Sequence, residues 1–255
     1  MGCWTDRETL LEINLQKQKI KRVKQLLSKG ANPDNYSEDY KCSLLSIAIS
    51  QRNEAMVRIM LKAGASTNQN IWHSQHDCKP SSYEYPLHIA VFQGSMGIIK
   101  ALVEHGANVD IGQDSTIGTP LHQAAKQGHK EVTAYLLSKN ADIIAIDRNL
   151  NTPLHTAALY GYEAVAKVLL LKRAPVNAKN SNLSTPLHCA ASAGAFSVTK
   201  LLLEHGASVS LRDFANKTPL DLAKNESIRN LLKQHNLNHT QQESHVFGLP
   251  CTALH

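Results

Sequence analysis

Four residues with ligand chemistry stand close together in the chain: His73, His76, Asp77 and Cys78. They lie in NQNIWHSQHDCKPSSYEY, Asn68 to Tyr85, and read as H-x2-H-x-C with a carboxylate beside the thiol. Imidazole nitrogen and thiolate sulfur are the donors zinc prefers, but a structural site closes on four ligands. Only three strong ones are grouped here, and in none of the usual zinc spacings. Two other readings compete. A long surface loop tolerates insertion at little entropic cost. Alternatively the stretch contacts a partner, because Trp72 and Tyr83 are large amphipathic rings of the kind that dominate interface hot spots. The balance favours contact, and no metal or other cofactor is expected.

Nucleophile chemistry has no signature. GxSxG, a Walker loop, HExxH and CxxC are all absent, and the acidic residues are spread singly. No catalytic residue is expected. The five cysteines are odd in number and far apart, which fits free thiols in a reducing compartment better than a disulfide framework. No apolar run approaches the roughly 20 residues that cross a bilayer, and the N-terminus lacks a secretory apolar segment. The start MGCWTD puts Gly2–Cys3 where dual acylation begins, but Asp6 stands where Ser or Thr is usual.

The net charge is +6, which permits an acidic partner without requiring one. The densest basic run is Lys17, Lys19, Lys21, Arg22, Lys24 and Lys29, with Ile20, Val23, Leu26 and Leu27 at helical spacing among them. That is the wet face of an amphipathic helix, and no aromatic residue interrupts it to stack a base. Nucleic acid is not expected as a partner.

These residues belong to a periodic chain. YPLHIAVFQG starts at Tyr85, TPLHQAAKQG at Thr119, TPLHTAALYG at Thr152 and TPLHCAASAG at Thr185, and TPLDLAK follows at Thr218. Counting backwards puts Ser43 and Thr9 in the same slot, with spacings of 34, 42, 34, 33, 33 and 33. A fixed period of this length marks a stacked array. Each unit reads as helix, turn, helix, hairpin. Proline at the first helical position has no N–H to lose, and Thr before it can cap. Gly94, Gly128, Gly161 and Gly194 end the first helix, where a left-handed residue is wanted. The second helix carries an apolar pair, such as Leu136–Leu137 or Leu202–Leu203. Three residues later comes a second terminator slot, Gly30, Gly64, Gly106, Asn140, Arg173 or Gly206, always followed by Ala.

TPLHQAAKQGHKEVTAYLLSKNADI and TPLHCAASAGAFSVTKLLLEHGASV resemble the ankyrin repeat nearly end to end. The resemblance implies an all-α fold, an ankyrin-repeat solenoid of stacked helix-turn-helix units with β-hairpin fingers. It also implies that the motif His residues tie neighbouring turns together, and that fingers and first helices bind other proteins. Expected boundaries are an N-terminal segment 1–8, a repeat domain 9–235 with units starting near 9, 43, 85, 119, 152, 185 and 218, and a polar tail 236–255. The end units read as caps, the last with Asp221 in the His slot and a shortened second helix, ESIRNLLKQH.

Candidate partner-binding residues follow from the slots. The first helices offer Phe92, Gln93, Lys126, Gln127, Leu159 and Tyr160, with Gln123 nearby and a small-residue patch at Cys189, Ser192 and Ala193. Phe92, Gln127 and Tyr160 would grip a segment lying across units three to five. The family usually places Gly two residues before the motif Thr; here that slot holds Ile117, Leu150 and Leu183, then Asn216. These aliphatics either pack between fingers or form a binding stripe, which Phe214 extends. Asn177 matches a finger Asn that is hydroxylated in some ankyrin repeats. The function expected is a non-catalytic adaptor, scaffold or inhibitor, monomeric, cytoplasmic or nuclear, and binding a protein or peptide segment. The alternatives are a pathogen effector in a host cytosol and a metal-binding or enzymatic role at residues 69–84.

Overall fold

The computed structural model describes residues 6–37, 42–69, 85–113 and 115–246. Trp72 and Tyr83, the His/Cys group and the acylation motif lie outside these residues. Contacts divide the chain into two compact units, Met1–Arg148 and Asn149–His255.

The first unit holds eight helices among its described residues. These are α1 (Asp6–Gln16), α2 (Ile20–Ser28), α3 (Leu44–Ser50), α4 (Glu54–Lys62), α5 (Pro86–Phe92), α6 (Met96–Glu104), α7 (Pro120–Gln127) and α8 (Lys130–Ser138). First helices stack on first helices, α1 on α3, α3 on α5 and α5 on α7, while α2 packs on α4 and α4 on α6. The second unit repeats the scheme with α9 (Pro153–Tyr160), α10 (Glu163–Leu171), α11 (Pro186–Ala193), α12 (Phe196–Glu204) and α13 (Glu226–Val246). There α9 packs on α11, α10 on α12 and α12 on α13.

The core follows the repeat slots. The motif leucines Leu87, Leu121, Leu154 and Leu187 are fully buried, as are the paired alanines Ala124–Ala125, Ala157–Ala158 and Ala190–Ala191. Alanine has no side chain beyond Cβ, so neighbouring helices approach closely there. The Ala after each second terminator, Ala31, Ala65, Ala107, Ala141, Ala174 and Ala207, is buried as well. In α2, Val23 and Leu26 turn inward while Lys21, Arg22 and Lys24 remain exposed, the amphipathic face that the basic run predicts.

Left-handed residues stand where the period places them. The first-helix terminators Gly94, Gly128, Gly161 and Gly194 have φ of 66, 74, 74 and 82°. Counting nine residues on from Thr9 and Ser43 reaches Gln18 and Arg52, which are also left-handed at 52 and 56°. The backbone thus independently fixes the register of the two units whose motif is most worn.

Three expectations need correction. The fingers are mostly tight turns rather than strands: among the described residues the one β-ladder is β1 (Tyr36–Ser37) against β2 (Cys42–Ser43), antiparallel. In the last repeat the shortened helix is the first, since TPLDLAK forms only turns. The second helix, α13, is the longest described, at 21 residues, and runs well into the segment read as a tail. Nothing in NLNHTQQESH breaks the helix: it holds neither Gly nor Pro.

Arg173 occupies a terminator slot with φ of 64° and an exposed side chain. A left-handed L-residue costs about 1–2 kcal/mol and Gly avoids this at a smaller entropic penalty. Arg173→Gly should therefore raise stability by roughly 0.5–1 kcal/mol, read as a higher melting temperature by calorimetry. A lower one would mean the turn depends on the Arg side chain.

Candidate functional site

The histidines of the motif are structural. In α7, α9 and α11 the N-cap backbone N–H of Thr119, Thr152 and Thr185 donates to Nδ1 of His122, His155 and His188 at 3.2, 3.1 and 3.1 Å. The Thr hydroxyl lies 3.0, 2.9 and 2.8 Å from the same nitrogen. An Nδ1 that accepts leaves the proton on Nε2, which donates to the carbonyl of the following finger. His88 reaches Gly118 O at 2.9 Å, His155 reaches Ser184 O at 3.0 Å, and His188 reaches Lys217 O at 3.1 Å. Each ring ties a helix N-terminus to the next turn. Gly118 lies against this apparatus: a Cβ there would sit 2.7 Å from His122 Cγ, and its φ is 69°. The other slot-bound rings are also engaged. His105 and His205 meet the Ala101 and Leu201 carbonyls at 2.8 Å, and His129 Nε2 lies 3.2 Å from Phe92 O. In the last repeat Asp221 replaces the imidazole, and its Oδ2 accepts from both the Thr218 N–H and hydroxyl at 2.8 Å. Those bonds hold its carboxyl below the usual range.

One cap is defective. Tyr85 stands where Thr is used elsewhere, its ring 5.7 Å from that of His88, and it makes no side-chain cap. His88 Nδ1 is buried with no hydrogen-bond partner among the described residues. Burial, opposed by the Gly118 bond and reinforced by His122, lowers the His88 pKa to about 4. Burial lowers that of His188 too.

A second link between repeats uses an Asx three residues after the buried Ala65, Ala107 and Ala174. Asn68 Oδ1 accepts from Asn108 N at 2.8 Å and its Nδ2 donates to Gly106 O at 3.0 Å. Asp110 accepts from Asp142 N at 2.8 Å, and Asn177 accepts from Ser208 N at 2.9 Å while donating to Gly206 O at 3.3 Å. The slot was legible as a recurring Asx at a fixed offset, yet sequence reasoning passed over it. Asn177, the hydroxylation candidate, thus has both ends of its amide in a structural bridge.

The partner-binding candidates divide into two sets. On the first helices, Phe92, Lys126, Leu159, Tyr160 and Ser192 are exposed, and Gln93, Gln127 and Ala193 are half-buried. They occupy the helix ends, seven and eight residues after the cap. Gln123 does not join them: it is buried, because the slot four residues after the cap faces the adjacent first helix, where Ile89, Thr156 and Cys189 are also partly covered. Burial pushes the Cys189 thiol up to about 11, so it stays protonated and unreactive at neutral pH.

The finger-tip set is the more unusual. Leu150 and Leu183 are left-handed, with φ of 57 and 55°, and Asn216 follows at 60°. Ile117 departs from the expected stripe: it is half-buried, and the left-handed residue of that finger is Gly118, one position later. Leu150 and Leu183 are 44% and 43% exposed, and Phe214 is 83% exposed. Backbone bonds hold the tips side by side, Ser181 N to Asn149 O at 2.9 Å and Phe214 N to Asn182 O at 2.8 Å. Sequence reasoning missed further exposed apolar residues, among them Ile13, Ile144, Tyr162, Leu171, Phe196 and Leu237. Leu171 was visible as the third leucine after a buried pair.

Among the described residues no group of three or more His, Cys, Asp or Glu side chains could hold a metal, and no helix is long and apolar enough to cross a membrane.

A family profile described as "Ankyrin repeats (3 copies)" matches residues 69–147, 87–180 and 154–243. The chain belongs to the ankyrin-repeat family. Among solved structures, the ankyrin repeat domain of human ASB11 superposes with a TM-score of 0.74 at 29% identity, covering 88% of this chain and 96% of that one. The ankyrin repeat domain of Bcl-3 gives 0.74 at 26% identity, covering 90% and 100%. The all-α ankyrin-repeat solenoid is thus the fold class. BRCA1-associated RING domain protein 1 of Caenorhabditis elegans is 41% identical over 58 residues. That match spans 23% of this chain and only 8% of the relative's length. Ankyrin repeats are in general protein-interaction modules, and the fold is typically non-catalytic.

Two outcomes follow for the caps. Tyr85→Thr gives His88 Nδ1 its missing partners and should raise stability by about 1 kcal/mol, or about 2–4 °C in Tm. Because folding lowers the His88 pKa, the unfolded chain binds more protons between pH 6.5 and about 4. Stability present above pH 6.5 should therefore be lost as pH falls through that window, by on the order of 3 kcal/mol for His88, with His188 acting in the same direction. Urea titrations at several pH values measure this; a flat profile would contradict a neutral buried His88.

Proposed function

We propose that the chain is a non-catalytic adaptor, scaffold or inhibitor that grips a protein segment with the ends of its first helices and its finger tips. The supporting observation is the placement of apolar side chains in water. Phe92 in the first unit and Leu159–Tyr160 in the second lie exposed one to three residues beyond fully buried core alanines or valines of the same helices. Such a helix end has no packing need for an aromatic ring, whereas rings dominate interface hot spots. Among the described residues His122, His155 and His188 are occupied in caps, which supports contact rather than acid–base chemistry on the first helices. A cytoplasmic or nuclear setting and a monomeric state accord with this role.

The test uses a partner recovered by crosslinking to the intact chain and then purified. Alanine at both Phe92 and Tyr160 should weaken its binding at least tenfold, about 1.4 kcal/mol, with an unchanged melting curve. Leu171→Ala, an exposed leucine on a second helix, should leave affinity unchanged. Equal binding by the Phe92/Tyr160 variant would remove the first-helix ends from the site.

A further inference from the structure

The tips of the second unit combine three features that core packing does not require. Leu150 and Leu183 hold a left-handed backbone that Gly or Asn adopts more readily, and the next finger uses Asn216 in that slot. Both leucines are nearly half exposed and Phe214 almost wholly so. Strain combined with exposed apolar surface, repeated in successive fingers, is what a functional surface tolerates. Around the row stand exposed cations: Lys179, Arg212 and Lys217. Arg212 Nη1 donates to Asn216 O at 2.9 Å, which fixes its guanidinium at the base of the last tip. At the last tip the carboxylates face backbone, Asp213 accepting from Lys217 N and Asp221 from Thr218 N, both at 2.8 Å, and Asp147, three residues before Leu150, is half-buried. Outward, the row is apolar and basic.

The backbone narrows the shape of an occupant. The N–H groups of Ser181 and Phe214 are already used in bonds between tips, so an added β-strand finds little ladder to extend. Fingers inherit the spacing of the helices beneath them, about 8–10 Å for packed helices. A β-strand places side chains on one face about 6.6 Å apart and misses that spacing. A polyproline II helix brings every third residue to the same side after about 9 Å. We infer that the row Leu150–Leu183–Phe214 binds an acidic, extended polyproline II segment of a partner protein, with one apolar side chain at every third position. The apolar residues lie against or between the tips, and the carboxylates between them face Lys179, Arg212 and Lys217. This deepens the protein-binding reading and rests on it.

The test is fluorescence anisotropy with the full chain and labelled synthetic peptides of about nine residues, long enough for three such turns. The probe repeats Leu-Glu-Pro. One control has the same composition with leucine at every second position, and another replaces Glu by Lys. The probe should bind at least about tenfold more tightly than either control. Leu150→Asn with Leu183→Asn, and separately Phe214→Ala, should each lose at least about tenfold. Asn is native to the slot, so Tm should shift by no more than about 4 °C. Equal affinity for a control, no binding of the probe, or binding indifferent to the tip variants overturns the inference. If the probe binds and Tyr160→Ala alone abolishes this, the tip row fails while the protein-binding reading stands. If the partner recovered by crosslinking also ignores Phe92 and Tyr160, the first-helix assignment fails on its own evidence.

Discussion

A neutral imidazole joins consecutive repeats, and much of the architecture depends on it. Nδ1 accepts from the Thr that begins the helix, and Nε2–H donates to a carbonyl of the next finger, as in His155 to Ser184 and His188 to Lys217. Only the uncharged tautomer can do both, because a protonated ring has no acceptor. Burial keeps it uncharged. The ring therefore satisfies a helix N-terminus, a turn carbonyl and its own two nitrogens in a place water does not reach, where an unmade bond costs about 1–3 kcal/mol. Among the described residues the motif histidines are thus engaged in holding the fold. His88 marks the limit of the device: the ring is in place, but Tyr85 makes no side-chain cap, and Nδ1 has no hydrogen-bond partner among the described residues.

Left-handed residues are the second constraint. Each of the six units before the last repeat reverses direction at the end of its first helix and again after its second, and both turns have positive φ. Glycine meets most of these demands, and Asn140 and Asn216 are tolerated substitutes. Arg173, Leu150 and Leu183 are not natural choices. Arg173 is exposed and carries no evident compensation. The two leucines differ from it in forming a row with Phe214, held by backbone bonds from tip to tip. That regularity separates a surface feature from a scattered accident of substitution.

The buried and exposed faces of the first helices differ in what they can do. Slots that meet the neighbouring helix are closed, which is why Gln123 is covered and the Cys189 thiol is inert. Slots at the helix ends remain open, and there the chain carries Phe92, Lys126, Leu159 and Tyr160. Open side chains at the end of a packed helix are suited to recognition, because the backbone is already ordered before a partner arrives and little further entropy is lost.

Much of the fold was legible in the sequence. The period places Pro, Thr, His and Gly at positions whose requirements are local: a fixed φ, a cap, a left-handed turn. Local requirements are met by one residue type or a few, so even the worn first units could be aligned, and Gln18 and Arg52 carry the positive φ that the count demands. The candidate site was legible only as a set of slots. Gln123 and Gln127 look alike in sequence, and the neighbouring helix decides which of them water reaches. Ile117 and Leu150 look alike too, and a glycine one position later moves the turn away from Ile117. The Asx bridges at Asn68 and Asn177 join groups about thirty residues apart or more. By itself the sequence determined the family, the repeat register and the turns that end the helices, since those depend on bonds within a few residues. Exposure, pairing between repeats and the row of finger tips were decided by the tertiary structure alone, because they depend on what packs alongside.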